Sequence, residues 1–271
     1  MTTFKELNNA CQWEDDYAPL GQLILIRDRA PSDGSLFIHH LLNSYLAKQY
    51  KKGVGLVSLN HTFLHYQTIE LKLNSNLLKE GENNNFHFVD AVQGLTQSFL
   101  GEEEVMQDNT LLYASPVNVT DVKKPQCISV WKPDSDLCES LFQHIRKNAD
   151  KDCLIIDHLN PLLYAGDGGV YKLMRKLHEL TKKENVTVVV AIHDCAADYR
   201  SEETRTANFI EHLSDITFRV SGLPSGYSKD VHGQVEVVYK KDKNTFDPPK
   251  HVKLHFKTMD HSAKLFAIGN V

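Results

Sequence analysis

Two hydrophobic patterns alternate along most of the chain and predict repeated strand–helix units. Short runs of branched apolar residues have the length of buried strands, and the segments between them repeat apolar residues at helical spacing. The predicted strands cover 23–26, 54–59, 86–90, 153–157, 186–192 and 215–220. The predicted helices cover 34–50, 62–73, 135–148 and 170–183, and a further helix follows a polar loop (196–206) and ends at His212. This order predicts an α/β fold, a doubly wound, mainly parallel sheet flanked by helices.

The pattern changes near residue 221. Residues 235–239, 252–256 and 263–267 alternate apolar and polar side chains, as antiparallel strands do. We therefore predict a C-terminal antiparallel extension over 221–271. Residues 1–22 are interpreted as a lead-in with a short helix, and the whole chain, 1–271, as one domain. Residues 100–133 have no clear period, and we expect a surface excursion there with one strand near 127–131.

The first strand leads into a polar stretch and then a helix that begins after Gly34. This is the layout of a phosphate-binding loop, in which backbone N–H groups cradle phosphates. An alignment on Gly34 places Arg29 at the first glycine of that motif, Ser35 at its lysine, and Leu36 at its magnesium-binding Ser/Thr. Hydrolysis by this loop alone is therefore not expected. The degenerate nucleotide loop is defined by Arg29, Asp33, Gly34 and Ser35.

Composition narrows the function classes. The 271 residues are 41% hydrophobic and 24% charged, with a formal net charge of −5, which is typical of a soluble globular protein. Nucleic-acid binding would have to rely on local basic patches. Five cysteines without a CxxC pair indicate reduced core thiols. There is no signal-like N-terminus and no apolar run of membrane-spanning length, so we expect a cytoplasmic or nuclear protein with no membrane partner.

Two predicted strands end in residues whose side chains could bind a metal ion or transfer a proton. Asp157 ends its strand as a metal-binding Walker B aspartate would, and the alternative is a carboxylate that caps a loop. His193 and Asp194 end the next strand, where a hydrogen-bonded structural histidine is favoured over a proton-transfer residue. Because Leu36 cannot hold a metal ion, we predict no catalytic residue in this chain.

The histidine pairs do not predict a metal site. His39 and His40 are adjacent on a helix and point about 100° apart, so they cannot share a metal ion. His61 and His65 have suitable spacing but no acidic or cysteine partner nearby in sequence, and we interpret them as helix-surface residues. We predict no metal ligands and no resident cofactor.

Basic residues in two predicted loops are candidates for phosphate contacts. Arg200 and Arg205 fall in the loop over 196–206, although acidic neighbours dilute their charge. Lys240, Lys241 and Lys243 precede a Pro-Pro turn, and the alternative for them is an ordinary solvated hairpin.

Four segments carry a resemblance to a known family: residues 33–40, 154–157, 190–194 and 226–234. Their order and spacing are similar to those of the sixth subunits of the Elongator complex, and the Asp-Val-His-Gly run within 226–234 is the most specific match. The resemblance implies a RecA-like fold that has lost its Walker motifs. It also implies a ring with the fourth and fifth subunits, two copies of each, that joins the larger subunits in modifying the wobble uridine of tRNA.

In such rings the loops after the fourth and fifth strands face the centre. Here those loops are 158–169 and 195–206, so the resemblance points to Arg200 and Arg205 as tRNA contacts. It also implies nucleotide hydrolysis by the assembled ring, with ATP bound at ring interfaces. The departures at Arg29, Ser35 and Leu36 predict that this chain alone is not an enzyme. Two alternatives stay open: a divergent ATPase, with Asp157 and a basic residue of a partner completing the site across an interface, and a free-standing nucleotide-binding protein.

Overall fold

A computed structural model of the chain describes residues 5–13, 19–47, 52–91, 126–127, 137–147, 151–164, 168–195, 199–226, 228–240, 248–259 and 262–268. Its strands are β1 (Leu23–Asp28), β2 (Val54–Ser58), β3 (Phe86–Asp90), β4 (Gln126–Cys127), β5 (Cys153–Ile156), β6 (Thr187–His193), β7 (Ile216–Ser221), β8 (Gly233–Tyr239), β9 (Lys250–Met259) and β10 (Ser262–Ala267). Its helices are α1 (Lys5–Ala10), α2 (Ser35–Ala47), α3 (Phe63–Lys72), α4 (Leu77–Glu82), α5 (Leu137–Lys147), α6 (Asn160–Tyr164), α7 (Gly169–Glu184) and α8 (Glu202–Leu213).

All ten described strands belong to one sheet, in the order β10-β9-β8-β7-β1-β6-β5-β2-β3-β4. The strands from β4 to β7 in this order run parallel, and β8, β9 and β10 continue the sheet antiparallel to their neighbours. The predicted α/β class, the mainly parallel sheet and the antiparallel C-terminal strands are confirmed.

The central strand β1 is buried at every position because helices cover both faces of the sheet. Ile24 and Ile26 point into a core with α1 and α2, which extends to β9 and β10. Leu23 and Leu25 point into a second core with α5, α7 and α8. An apolar run is therefore required over residues 23–26, and the same holds for 188–192 of β6, whereas the charged Arg27 and Asp28 end β1.

Helix α8 begins earlier than the sequence pattern predicts. The Ser201 hydroxyl accepts a hydrogen bond from the Thr204 amide and caps the helix, and Glu202 and Glu203 occupy its first turn, where acidic side chains favour the helix dipole. The prediction that Arg205 lies in a loop is therefore wrong: it lies in the first turn of α8.

Other differences are local. Helices α4 and α6 were not predicted, and α4 begins at an Asn76 cap that accepts bonds from two amides. Cys195 is exposed, so the prediction that it is a core thiol is wrong. Within the predicted excursion over 100–133, only the residues of β4 are described. None of the described helices combines the length and apolar character needed to cross a lipid bilayer.

Candidate functional site at the carboxyl edge of the sheet

The parallel strands end in polar residues along one edge of the sheet. Asp28 ends β1, Ser58 ends β2 and Asp157 follows β5. His193 ends β6, and Asp194 is the next residue. Ligands of open α/β sheets bind at this edge, where the strand order changes direction around β1. The residues of the predicted nucleotide loop, 29–35, join β1 to α2 at the same place.

Carboxylates of the chain itself occupy the amides at the start of α2. The Gly34 amide donates to Asp28 Oδ2 at 2.7 Å, and the Ser35 amide donates to Asp33 Oδ1 at 2.7 Å. In a phosphate-binding loop such amides point at the phosphate oxygens. A phosphate placed here would meet two carboxylates instead of two available donors.

Gly34 has a packing role. A Cβ atom at this position would lie 2.6 Å from Ile26 Cγ2 and 3.2 Å from Asp28 Oδ2. The loop therefore lies directly against β1, and the glycine permits that contact. This differs from the role of a phosphate-loop glycine, which lets the backbone approach a ligand.

Arg29 forms an ion pair with Asp194. Its Nε donates to Asp194 Oδ2 at 2.6 Å, and Arg27 binds the same carboxylate at 2.7 Å. Burial opposes ionisation of Asp194, but hydrogen bonds from Thr204, Arg29 and Arg27 outweigh it and lower its pKa. The side chain at the motif's first glycine thus ties the loop to the end of β6.

Asp157 lies where a Walker B aspartate would, and it is fully buried. Its carboxylate accepts hydrogen bonds from Ser58 Oγ at 2.7 Å, from Tyr66 Oη at 2.6 Å and from the Leu59 amide at 2.5 Å. Burial, followed by the charge of Asp157, raises the pKa of Tyr66. This geometry fits the loop-capping alternative better than a metal ligand.

His193 is anchored at both its main chain and its ring. Asn160 Oδ1 accepts from the His193 amide at 2.8 Å, and Asn160 Nδ2 donates to its carbonyl at 2.9 Å. The ring Nδ1 lies 2.8 Å from Asp28 Oδ1. These bonds fit the structural role favoured from the sequence. Ligand atoms of Asp28, Asp33 and His158 come within 4.8 Å of one another, which makes this group capable of holding a metal ion.

The other predicted histidines are more buried than expected. The His39 ring lies 2.7 Å from Glu70 inside the protein, and burial lowers the pKa of His40 to about 3. The rings of His61 and His65 stack with centroids 4.0 Å apart, and burial is the main cause that lowers the pKa of both. The interpretation as helix-surface residues is wrong for His61, which precedes α3, whereas His65 lies in α3 and is partly exposed.

The predicted arginines are exposed at the carboxyl edge. The guanidinium of Arg200 lies over the ring of Tyr199, 5.2 Å from its centroid, and Arg205 is close by in α8. Tyr199 is 73% exposed, and Tyr164, at the end of α6, is 72% exposed. Neither tyrosine was predicted from the sequence as a site residue. The sequence signal that could have identified them is that the loops 158–169 and 195–206 each contain one aromatic residue.

Lys240 lies at the opposite edge of the sheet. It follows β8, which runs antiparallel to β7, and its amide pairs with the carbonyl of Asp215. Its ammonium group donates to the last carbonyls of α8, those of Glu211 and His212. Strands of this length span about 20 Å, so the structure does not bring Lys240 together with Arg200. Lys241 and Lys243 lie outside the described residues.

The fold defines a class: a RecA-like α/β protein. In its loop between β1 and α2, carboxylates of the chain itself accept hydrogen bonds from the amides of Gly34 and Ser35. The fold is similar to that of a KaiC-like protein from the archaeon Pyrococcus horikoshii OT3, with a TM-score of 0.56, 12% identity, and coverage of 92% of this chain and 91% of that one.

Sequence comparison identifies the family. The profile of the family described as Elongation complex protein 6 matches residues 4–260, so this chain belongs to that family. Elongator complex protein 6 of Rattus norvegicus is 27% identical over 98% of this chain and 97% of its own. The Homo sapiens protein is 26% identical with the same coverage, and the Dictyostelium discoideum protein is 25% identical over 93% of this chain and 92% of its own. The predicted family is confirmed.

Proposed function

We propose that this chain is a non-catalytic subunit of Elongator that assembles with the fourth and fifth subunits into a RecA-like ring. The ring holds two copies of each subunit, binds tRNA and, with the larger subunits, supports modification of the wobble uridine in the cytoplasm or the nucleus. Family membership supports the Elongator assignment. The observation that carries the non-catalytic role is the hydrogen bond from the Gly34 amide to Asp28.

The charges at the loop argue against nucleotide binding by this chain alone. Two like charges about 4 Å apart repel by about 4 kcal/mol at an effective dielectric constant of about 20. Asp28 and Asp33 would both face a phosphate at the start of α2, where a nucleotide-binding loop offers a lysine instead. ATP held by the ring would therefore lie at interfaces where another subunit supplies the phosphate-binding loop.

The carboxyl edge supports RNA contact through two kinds of side chain. Arg200 and Arg205 are exposed cations that can pair with backbone phosphates. Tyr164 and Tyr199 are exposed rings on which unpaired bases can stack. The loop after β5 has no lysine or arginine, so its contribution would be aromatic. Glu203, which accepts a bond from the Tyr164 hydroxyl, limits the net positive charge of this surface.

The test is tRNA binding by the assembled ring with Arg200→Ala and Arg205→Ala combined. Each lost phosphate contact should reduce the slope of log affinity against log salt by about 0.7 to 0.9. A matched control is Lys79→Ala with Lys264→Ala, which removes the same charge from exposed positions on α4 and β10.

We expect weaker binding and a shallower salt slope for the arginine pair, with the ring intact and the lysine pair unchanged. Equal affinity and slope for the arginine variant and the unsubstituted ring would remove this surface from the tRNA site. An equal loss in both double variants would show that the effect is one of net charge only.

A further inference from the structure

Asp28 is a buried carboxylate without a permanent cation. Only 2% of the residue is exposed, and among the described residues its partners are the Gly34 amide and the ring of His193. Asp194, at the end of the neighbouring strand, is bound by two arginines. A buried carboxylate that lacks such cations favours a nearby positive charge.

Two further ligand groups converge on this carboxylate. Asp33 approaches from the loop before α2, and His158 from the segment after β5. One ligand atom from each of these residues and one from Asp28 all lie within 4.8 Å of one another. The His158 side chain is partly buried and makes no hydrogen bond with the described part of the chain. Its ring nitrogens are therefore available to a ligand.

We propose that Asp28, Asp33 and His158 form a binding site for a divalent transition-metal ion, with Zn²⁺ as the expected occupant. Two carboxylates and one imidazole are suitable zinc ligands, and three protein ligands leave a fourth position open to water. An imidazole ligand selects against Mg²⁺ and Ca²⁺, which prefer oxygen.

The surrounding residues support such a site. The Gly34 amide and the His193 ring hold the Asp28 carboxylate in place, as outer partners of metal ligands commonly do. The ion would neutralise the buried charge and join the loop after β1 to the segment after β5. The site shares Asp28 and Asp33 with the closed loop between β1 and α2. It is separate from the arginines and tyrosines proposed to contact tRNA.

The site could not be found from spacing in the sequence. Its ligands come from the end of one strand, the following loop and a segment more than a hundred residues further along the chain. The adjacent and i,i+4 histidine pairs, which do have local spacing, lie outside the group.

The experiment is a titration of the chelator-treated full chain with Zn²⁺ by calorimetry and with Co²⁺ by visible absorption. Asp33→Asn and His158→Gln remove ligands that are exposed and partly buried, so the fold should persist, and circular dichroism checks this. Asp230→Asn and His212→Gln make the same chemical changes at exposed positions away from the group.

We expect one Zn²⁺ per chain, with affinity reduced about tenfold or more by either ligand substitution and unchanged in the two controls. Zn²⁺ should also raise the melting temperature of the unsubstituted chain but not of His158→Gln. The proposal is overturned if the unsubstituted chain binds no Zn²⁺. Undiminished binding by His158→Gln, or equal competition by Mg²⁺, would also overturn it.

Discussion

The hydroxyl of Tyr66 should contribute measurably to stability, because it donates to the buried carboxylate of Asp157. Tyr66 is 1% exposed, and its Oη lies 2.6 Å from Asp157 Oδ2. Tyr66→Phe removes this donor and leaves the ring in place. Asp157 would keep its bonds from Ser58 and the Leu59 amide, so the loss is confined to one bond.

The magnitude follows from the charge of the acceptor. A hydrogen bond to a charged group contributes about 1.5 to 3 kcal/mol, and the lower half of that range applies because two other donors remain. For a chain of this size, a loss of about 2 kcal/mol in the free energy of unfolding lowers the melting temperature by about 4 to 8 °C. Tyr164→Phe is the matched control: its hydroxyl also bonds a carboxylate but is exposed, and it should change stability by less than about 0.5 kcal/mol.

Urea denaturation of Tyr66→Phe, Asp157→Asn and the double variant measures the coupling. We expect a coupling free energy of about 1 kcal/mol or more between the two positions. If each single variant is as stable as the unsubstituted chain, the carboxylate is not held by this network. The interpretation of Asp157 as a loop cap would then be refuted, and a metal-binding role would regain support.

Two further predictions concern the loop and its ion pairs. In urea denaturation, Gly34→Ala should lower the free energy of unfolding by about 1 to 3 kcal/mol, because the added Cβ would overlap Ile26. The control Gly81→Ala lies within α4 without close contacts, and it should leave the free energy of unfolding unchanged or raise it by up to about 1 kcal/mol. Equal effects of the two substitutions would contradict the packing role of Gly34. Because the folded-state pKa of Asp194 is lowered, its stabilisation is complete above its unfolded pKa and is lost as pH falls through its folded pKa. Arg27→Met should therefore flatten the fall in stability below about pH 4 in acid titrations followed by circular dichroism, and an unchanged acid limb would contradict this.

The central strands could be predicted because burial on both faces of the sheet requires apolar side chains at successive positions. A strand buried on both faces must be apolar along its middle, and β1 and β6 carry charged or ionisable side chains only at their carboxyl ends. Helices α4 and α6 escaped prediction because elements of five or six residues carry too few apolar positions to show a period. The start of α8 was missed because its Ser201 cap and acidic first turn read as a polar loop, although these are helix-starting signals.

The sequence could predict which residues of the nucleotide-binding motif are missing, but not which hydrogen bonds the remaining loop residues make. The alignment on Gly34 showed that the lysine and the magnesium ligand are absent. It could not show that Asp28 takes the Gly34 amide, because that bond depends on how closely the loop lies against β1. The position of Lys240 depended in the same way on the direction of β8, which alternation alone does not give.

The most direct test of the proposed role is the native mass of this 30.8 kDa chain, expressed alone and together with the fourth and fifth Elongator subunits. We predict a stable complex with two copies of each subunit in the co-expressed sample. The complex should form without added nucleotide, since this chain's loop is closed by Asp28 and Asp33. A chain that stays separate from both subunits at every concentration tested would contradict the account.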